Sequence, residues 1–131
     1  KEEKMRKKEQ ERYKARLLAV LSRHIGKARA ISMTELYRLV FEKEPKDKIT
    51  GTREIRQIIT ELRKEGVPIC SSTEQTGGGY YLASVGSDLE VYCKKLRQRA
   101  LRALAMEAKL RRLTLPQLIG QIQLNLTREA I

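Results

Sequence analysis

The fold is decided by residues 50–82, TGTREIRQIITELRKEGVPICSSTEQTGGGYYL, where the hydrophobic pattern changes from helical to strand-like. In the first part, the apolar residues recur at the i, i+3, i+4, i+7 spacing of one helical face: Ile55, Ile58, Ile59 and Leu62. Gly66 and Pro68 then predict the helix end, because glycine accepts the left-handed conformation there and proline prevents continuation. The sequence therefore predicts a helix that leads directly into a different kind of element.

That element is predicted to be a β-hairpin. A short strand is expected over residues 67–71, a polar, glycine-rich turn over 73–79, and a returning strand over 80–82. A helix followed at once by a glycine-tipped hairpin is typical of the second half of a winged helix-turn-helix, so the first function to test is DNA binding.

Two further helices are expected before this segment. A charged block, residues 1–16, should extend a first helix whose apolar residues run to Ile25 and which ends near Gly26. The Ser32-x-x-Glu35 pattern is a capping box that predicts the start of a second helix. A short first strand is expected around residues 30–31. Thr50 or Thr52 should cap the third helix, which is expected to end near Glu65.

The composition changes again after Ala83. A second capping box, Ser87 to Glu90, predicts a helix that runs to about Leu113, and Pro116 is well placed in the first turn of a last helix. The expected fold class is therefore mainly α with a small β-hairpin, namely a winged helix-turn-helix followed by a C-terminal helical extension. The expected parts are a charged N-terminal helical extension (1–16), a winged-helix domain (17–84) and a C-terminal extension that could mediate dimerisation (85–131).

Two short motifs resemble the biotin-repressor type of winged-helix domain: LRKEGVPICSS (62–72) and GGGYYLA (77–83). In that family a Leu-Arg-x-x-Gly-(Tyr/Val)-Pro-Ile segment, the end of the recognition helix, runs into a Gly-Tyr-x-Leu strand of the wing. The resemblance covers about residues 17–83 and implies a DNA-binding domain. The wing residues 72–76 depart from it in carrying no Lys or Arg, and the chain has no room for a ligase domain, so ligase activity is not implied.

Composition and charge indicate the class of partner. The 131 residues suit one compact domain with helical extensions, and the net charge of +12 with a pI near 10.0 favours a polyanion, nucleic acid first and an anionic membrane surface second. No apolar run is long enough to span a bilayer and no signal peptide is evident, so a cytoplasmic protein without membrane insertion is expected. The first residue is Lys1 rather than Met, which predicts that residues precede it in the native protein. Cys70 and Cys93 are expected to be reduced thiols, the alternative being an intramolecular disulfide.

Candidate DNA contacts lie on the third helix, opposite the isoleucines. Arginine can bond guanine bidentately, glutamine can bond adenine, and lysine or threonine can hold phosphates. The alternative is an ordinary solvated face, since three glutamates leave this helix only +1, but its position before the hairpin favours DNA. The expected contacts are Thr52, Arg53, Arg56, Gln57, Thr60 and Lys64, together with Tyr81 of the returning strand, for which packing on the C-terminal helix is the alternative.

The C-terminal extension admits three interpretations. Residues 94–112 carry +7 of the +12, and Lys94, Lys95 and Arg102 could contact the DNA backbone. An apolar stripe from Leu89 to Leu110, continued by Leu115, Leu118, Ile119, Ile122 and Leu126, could form a dimer seam. The helix could also pack on its own winged domain. We favour a homodimer, because so small a domain rarely needs this much additional aliphatic surface.

Catalytic and metal sites are not expected. His24 has no Cys or carboxylate partner at metal spacing, and a phosphate-binding loop needs a Lys-Ser/Thr and a helix after the glycines of residues 77–79. We therefore expect a non-enzymatic protein without cofactor. The favoured function is a small DNA-binding transcriptional regulator, of the kind that phages and mobile elements encode. The alternative is a winged helix used as a protein-interaction or assembly module in a nucleic-acid-processing complex.

Overall fold

The computed structural model describes residues 2–47, 51–74, 77–84 and 86–129. These residues are mainly helical, with one two-stranded antiparallel hairpin, which confirms the expectation of a mainly α protein with a small β-hairpin. The chain divides into two compact units, Lys1–Tyr92 and Cys93–Ile131. The elements are α1 (Glu2–Leu21), a 3-10 turn (Lys27–Arg29), α2 (Met33–Phe41), α3 (Arg53–Lys64), β1 (Ile69–Ser72), β2 (Gly79–Leu82), α4 (Ser87–Leu110) and α5 (Leu115–Glu129).

The first helix ends four residues before Ile25, which the hydrophobic pattern had assigned to its core face. The peptide N–H of Gly26 donates to Leu82 O at 2.8 Å, and the N–H of Leu82 donates to His24 O at 2.9 Å. Pairing with the end of β2 therefore replaces further helical hydrogen bonds. Ile25 is 47% exposed and forms an isolated parallel bridge with Leu82, so its assignment to the helical core was wrong.

The predicted start of α2 is confirmed. The hydroxyl of Ser32 accepts a hydrogen bond from the N–H of Glu35 at 3.2 Å, which satisfies a donor that a helix N-terminus leaves open. At the other end, Glu42 takes the left-handed conformation with φ 57° and closes the helix.

The apolar face of α3 is buried as the spacing predicted. Ile55, Ile58, Ile59 and Leu62 are all buried, and they share one core with Leu17 and Leu21 of α1 and with Leu36 and Val40 of α2. Gly66, with φ 93°, ends the helix, and the N–H of Val67 donates to Leu62 O at 3.0 Å. Thr52 occupies the N-cap position but makes no capping side-chain hydrogen bond; Thr50, the other predicted cap, lies outside the described residues.

The hairpin pairs Ile69 with Leu82 and Ser72 with Gly79. A third segment joins it, because the N–H of Ile31 donates to Tyr80 O and the N–H of Tyr80 donates to Ile31 O, each at 2.8 Å. This bridge lies where a first strand was expected. It also explains Gly79, since a Cβ at that position would lie 2.0 Å from Ile31 O.

Arg63 connects three elements of the first unit. Its Nε donates to Ile69 O at 2.8 Å, and its Nη2 donates to the Tyr92 hydroxyl at 3.0 Å. The guanidinium carbon lies 6.0 Å from the ring centre of Tyr80 and 5.7 Å from that of Tyr92, within the range of cation–π attraction. This side chain therefore ties α3 to the hairpin and to the first turns of α4.

The second unit consists of the rest of α4 together with α5. After α4, Arg112 adopts the left-handed conformation with φ 56°. The N–H of Leu113 donates to Ala108 O at 2.8 Å, the 6→1 hydrogen bond of a Schellman motif, and this ends the helix. Thr114 and Gln117 then exchange hydrogen bonds between each side chain and the other's N–H, and this reciprocal cap starts α5.

Two sequence expectations for these helices change. Helix α4 begins at Ser87 itself, so this serine is the first helical residue rather than the predicted cap, and the helix ends at Leu110 rather than near Leu113.

No helix in the described ranges is both long and apolar enough to cross a bilayer.

Replacing Gly79 with alanine should destabilise the protein. The new methyl group would collide with the Ile31 carbonyl and hold a side chain at φ 140°, so we expect the free energy of unfolding to fall by about 2 kcal/mol or more. The matched control is Gly120→Ala in α5, where nothing lies within 4 Å and where alanine favours the helix by up to about 1 kcal/mol. Urea denaturation followed by circular dichroism measures both, and equal stabilities for the two variants would contradict this account.

Candidate nucleic-acid interface

The surface of α3 that points away from the core carries four exposed polar residues: Arg53, Gln57, Thr60 and Lys64. At 100° per residue they lie opposite the buried isoleucines, and we call them the outward face of α3. Arg56 is exposed beside this face. The structure therefore brings together five of the residues that were predicted to contact DNA.

Arg56 and Thr60 lie one turn apart and are joined by a hydrogen bond. The Thr60 hydroxyl donates to Arg56 O at 2.9 Å, which leaves the hydroxyl oxygen able to accept another hydrogen bond. Burial raises the pKa of Tyr80, and the positive charges of Arg63 and, less strongly, Arg56 oppose that rise, which is consistent with both cations lying on the hairpin side of α3. The hairpin side of the helix is therefore cationic.

The two glutamates of α3, Glu54 and Glu61, and its C-cap residue Glu65 lie on one flank, on the side of α1. Lys14 Nζ lies 2.6 Å from a carboxylate oxygen of Glu65 and 3.6 Å from one of Glu61. The hydrogen bond to Glu65 is the main cause that raises the pKa of Lys14. Glu54 faces the same flank, where it lines a groove against α1. The low net charge of α3 therefore results from two oppositely charged surfaces. The outward face and Arg56 carry cations and no carboxylate, and the glutamates lie on the side of α1.

Two residues assigned to DNA contact are buried. Thr52 is 2% exposed, because it precedes Ile55 by three residues and Ile59 by seven, and therefore lies on the core side of α3. Tyr81 is 5% exposed and packs with Cys70 and Tyr92. Both assignments were wrong; for Tyr81, packing on the C-terminal helix was the correct alternative.

Strand alternation explains the difference between the two tyrosines of β2. Tyr80 and Leu82 pack against the main core, while Tyr81 points to the opposite side of the hairpin, where α4 begins. Burial raises the pKa of both tyrosine hydroxyls. Neither hydroxyl is therefore ionised near neutral pH.

The hairpin tip adds little positive charge of its own. Of the wing residues, Gln75 and Thr76 lie outside the described residues, and those that are described include no Lys or Arg. Glu74 forms an ion pair with Lys27 of the 3-10 turn, with an N–O distance of 2.7 Å. Lys27 is the cation that the sequence analysis missed, although a strand at Ile31 paired with the hairpin implies that residues 27–29 lie near the tip.

Helix α4 exposes the predicted backbone contacts Lys94, Lys95 and Arg102 in the second unit. Lys109 follows Arg102 by the same seven residues that separate Arg102 from Lys95, so a cation recurs on one face about every 10 Å. Arg102 Nε donates to Gln98 O at 3.4 Å. This face is suited to the regularly spaced charges of a polyanion.

His24 and the two cysteines are the remaining residues whose chemistry was considered from the sequence. His24 Nδ1 lies 2.8 Å from Arg29 O and must donate to it, because a carbonyl oxygen only accepts. Across the described ranges, no group of three His, Cys, Asp or Glu side chains is arranged to hold a metal ion. Cys70 is buried and Cys93 exposed, both as free thiols.

Comparison with known proteins leaves this surface as the guide to function. No protein-family model matches the chain, and neither a curated protein nor a solved structure matches it.

Proposed function

We propose that the protein binds duplex DNA through a winged helix-turn-helix in its first unit, as a small transcriptional regulator. The observation that carries the proposal is the separation of charge on and just after α3. Its outward face and Arg56 present arginine, lysine and amide groups without a carboxylate, while Glu54, Glu61 and the C-cap residue Glu65 lie on the side of α1. These are the groups that bond to base edges and phosphates in a major groove.

The order of elements supports the assignment of α3 as the recognition helix. Two helices precede it and a hairpin follows it directly, which is the winged-helix order. In such folds the N-terminal part of the helix meets base edges, so Arg53, Arg56 and Gln57 are assigned to sequence recognition. Lys64, at the far end of α3, is assigned to phosphate.

The cations of α4 provide a second, sequence-independent contribution in this proposal. Lys95, Arg102 and Lys109 are exposed and repeat along one helix face, and Lys94 is exposed beside it, so these cations can neutralise phosphates without selecting bases. The wing contributes less, because its described residues lack cations and Glu74 already engages Lys27.

One observation favours the alternative, a winged helix used as a protein-interaction or assembly module. Large apolar side chains are exposed along the last two helices: Leu89, Val91, Leu96, Leu101, Met106, Leu110, Leu124 and Leu126. Leu96 and Leu110 lie within about 40° of each other on α4, and apolar side chains exposed together on one face mark protein contact surfaces. Specific DNA binding that depends on Arg53 or Gln57 favours the regulator, and its absence favours the module.

We also propose that the second unit forms a homodimer. The part of the stripe expected in α5 is already partly covered, since Leu118 is buried and Leu115, Ile119 and Ile122 are half-buried. The proposed seam therefore uses the exposed residues of α4, above all Leu96 and Leu110, which is 79% exposed. A two-fold pair would present two copies of α3 to a pseudo-palindromic site.

DNA affinity should fall steeply as salt rises. Each phosphate contact contributes about −0.9 to the slope of log affinity against log salt concentration, because bound counterions are released. Fluorescence anisotropy with random-sequence duplexes at several salt concentrations measures this slope. A flat dependence, or no binding at low salt, would contradict the proposal.

Substitutions on α3 should separate base recognition from phosphate binding. We expect Arg53→Ala, Arg56→Ala or Gln57→Ala to cost roughly 1–3 kcal/mol and to relax the preference at one base position, if that side chain bonds a base bidentately. Lys64→Ala should weaken binding to all sequences alike and reduce the salt slope by about 1. Arg23→Ala, an exposed cation outside α3, is the control. Equal, small effects for all of these variants would mean that α3 does not recognise sequence.

Association of the second unit should respond to salt in the opposite direction. Residues 94–112 carry +7, so bringing two copies together is opposed by repulsion that added salt screens. We expect sedimentation equilibrium to show dimers that strengthen with salt, and Leu96→Glu with Leu110→Glu to abolish them, because each loses a burial worth about 1.5–3 kcal/mol. Gln98→Glu, on the polar side of α4, should leave the dimer intact. An intact protein that stays monomeric at high concentration and high salt would refute the seam.

A further inference from the structure

A groove between α1 and α3 is lined by aromatic and acidic side chains, although the protein as a whole is strongly basic. It lies within the first unit and encloses about 190 Å³. Its apolar part is formed by Tyr13, Phe41 and Ile58. The Phe41 ring centre lies 4.6 Å from that of Tyr13 and 4.7 Å from that of Tyr37. Packing between these three rings therefore holds the aromatic side of the groove in position.

The polar rim of the groove is acidic, although the protein as a whole carries +12. Three carboxylates line it, from Glu9, Glu54 and Glu61, against one cation, Arg6. Glu61 lies 3.6 Å from Lys14, whose closer partner is Glu65 at 2.6 Å. In the part of the chain that the structure describes, neither the Glu9 nor the Glu54 carboxylate forms an ion pair, and Arg6 is the described cation that lines the groove with them.

Size and charge restrict what can occupy this groove. An engineered cavity of about 150 Å³ accommodates benzene, so a ligand of roughly eight non-hydrogen atoms fits here and a drug-sized molecule does not. The carboxylates repel phosphate groups, and no described set of acidic side chains is arranged for a metal ion. A cation with an apolar stem can form ion pairs with the carboxylates while its stem packs on the aromatic side of the groove.

We propose that the groove binds a small organic cation, an alkylguanidinium or alkylammonium group with a stem of about four carbons. The stem packs on Phe41 and Ile58, and the charged end lies among Glu9, Glu54 and Glu61. The Tyr13 ring already attracts such a group from the chain itself, since the guanidinium carbon of Arg12 lies 5.4 Å from its centre. This site does not depend on the proposed DNA-binding function.

Titration with butylguanidinium chloride tests the site on the intact protein without DNA, with the ring signals of Tyr13 and Phe41 followed by NMR. Saturable shifts are expected, and butylurea, which is neutral and of similar shape, should bind at least about tenfold more weakly. A tenfold loss corresponds to about 1.4 kcal/mol, a reasonable contribution from a charge beside two carboxylates.

Two variants make the test specific. Glu9→Gln combined with Glu54→Gln should weaken butylguanidinium binding about tenfold or more, because both negative charges are removed while the side-chain shapes remain. Glu35→Gln on α2, which does not line the groove, should bind like the original protein. Circular dichroism confirms that each variant is folded. Equal binding of butylurea, or unchanged affinity in the double variant, would overturn the proposal.

Discussion

Burial of the isoleucine face of α3 is the interaction on which the rest of the first unit depends. Ile55, Ile59 and Leu62 are almost fully buried against α1 and α2. Burial of each such side chain contributes about 1.5–3 kcal/mol, and the helix cannot rotate without losing all of them together. This constraint determines which side chains of α3 face solvent, which face α1 and which face the hairpin.

The three remaining sides of α3 consequently have three different environments. The outward face carries Arg53 and Lys64, the side near α1 carries the glutamates, and the hairpin side carries Arg63. In the two proposals, the same helix therefore presents cations to a polyanion and carboxylates to a small cation. Gln57 lies where the two surfaces meet, because it belongs to the outward face and also lines the groove.

Arg63 shows how the hydrogen bonds of one side chain, which are partly buried, position the hairpin. By bonding Ile69 O and the Tyr92 hydroxyl, it holds β1 and the start of α4 on the same helix. Tyr81 is then enclosed with Cys70 and Tyr92 and cannot reach a ligand. The hydrogen bond of Arg63 and the burial of Tyr81 therefore share one residue, Tyr92 of α4.

The sequence by itself determined the local elements, and tertiary packing decided their ends and exposures. The spacing of Ile55 to Leu62, the Ser32–Glu35 cap and the Gly66 stop were all predictable, because each depends on residues within about one or two turns. The end of α1, the burial of Thr52 and the pairing of Lys14 with Glu65 were not, because each depends on a partner distant in sequence. A residue's type and spacing indicate what it can bind, but only the packed neighbours decide whether it is exposed to do so.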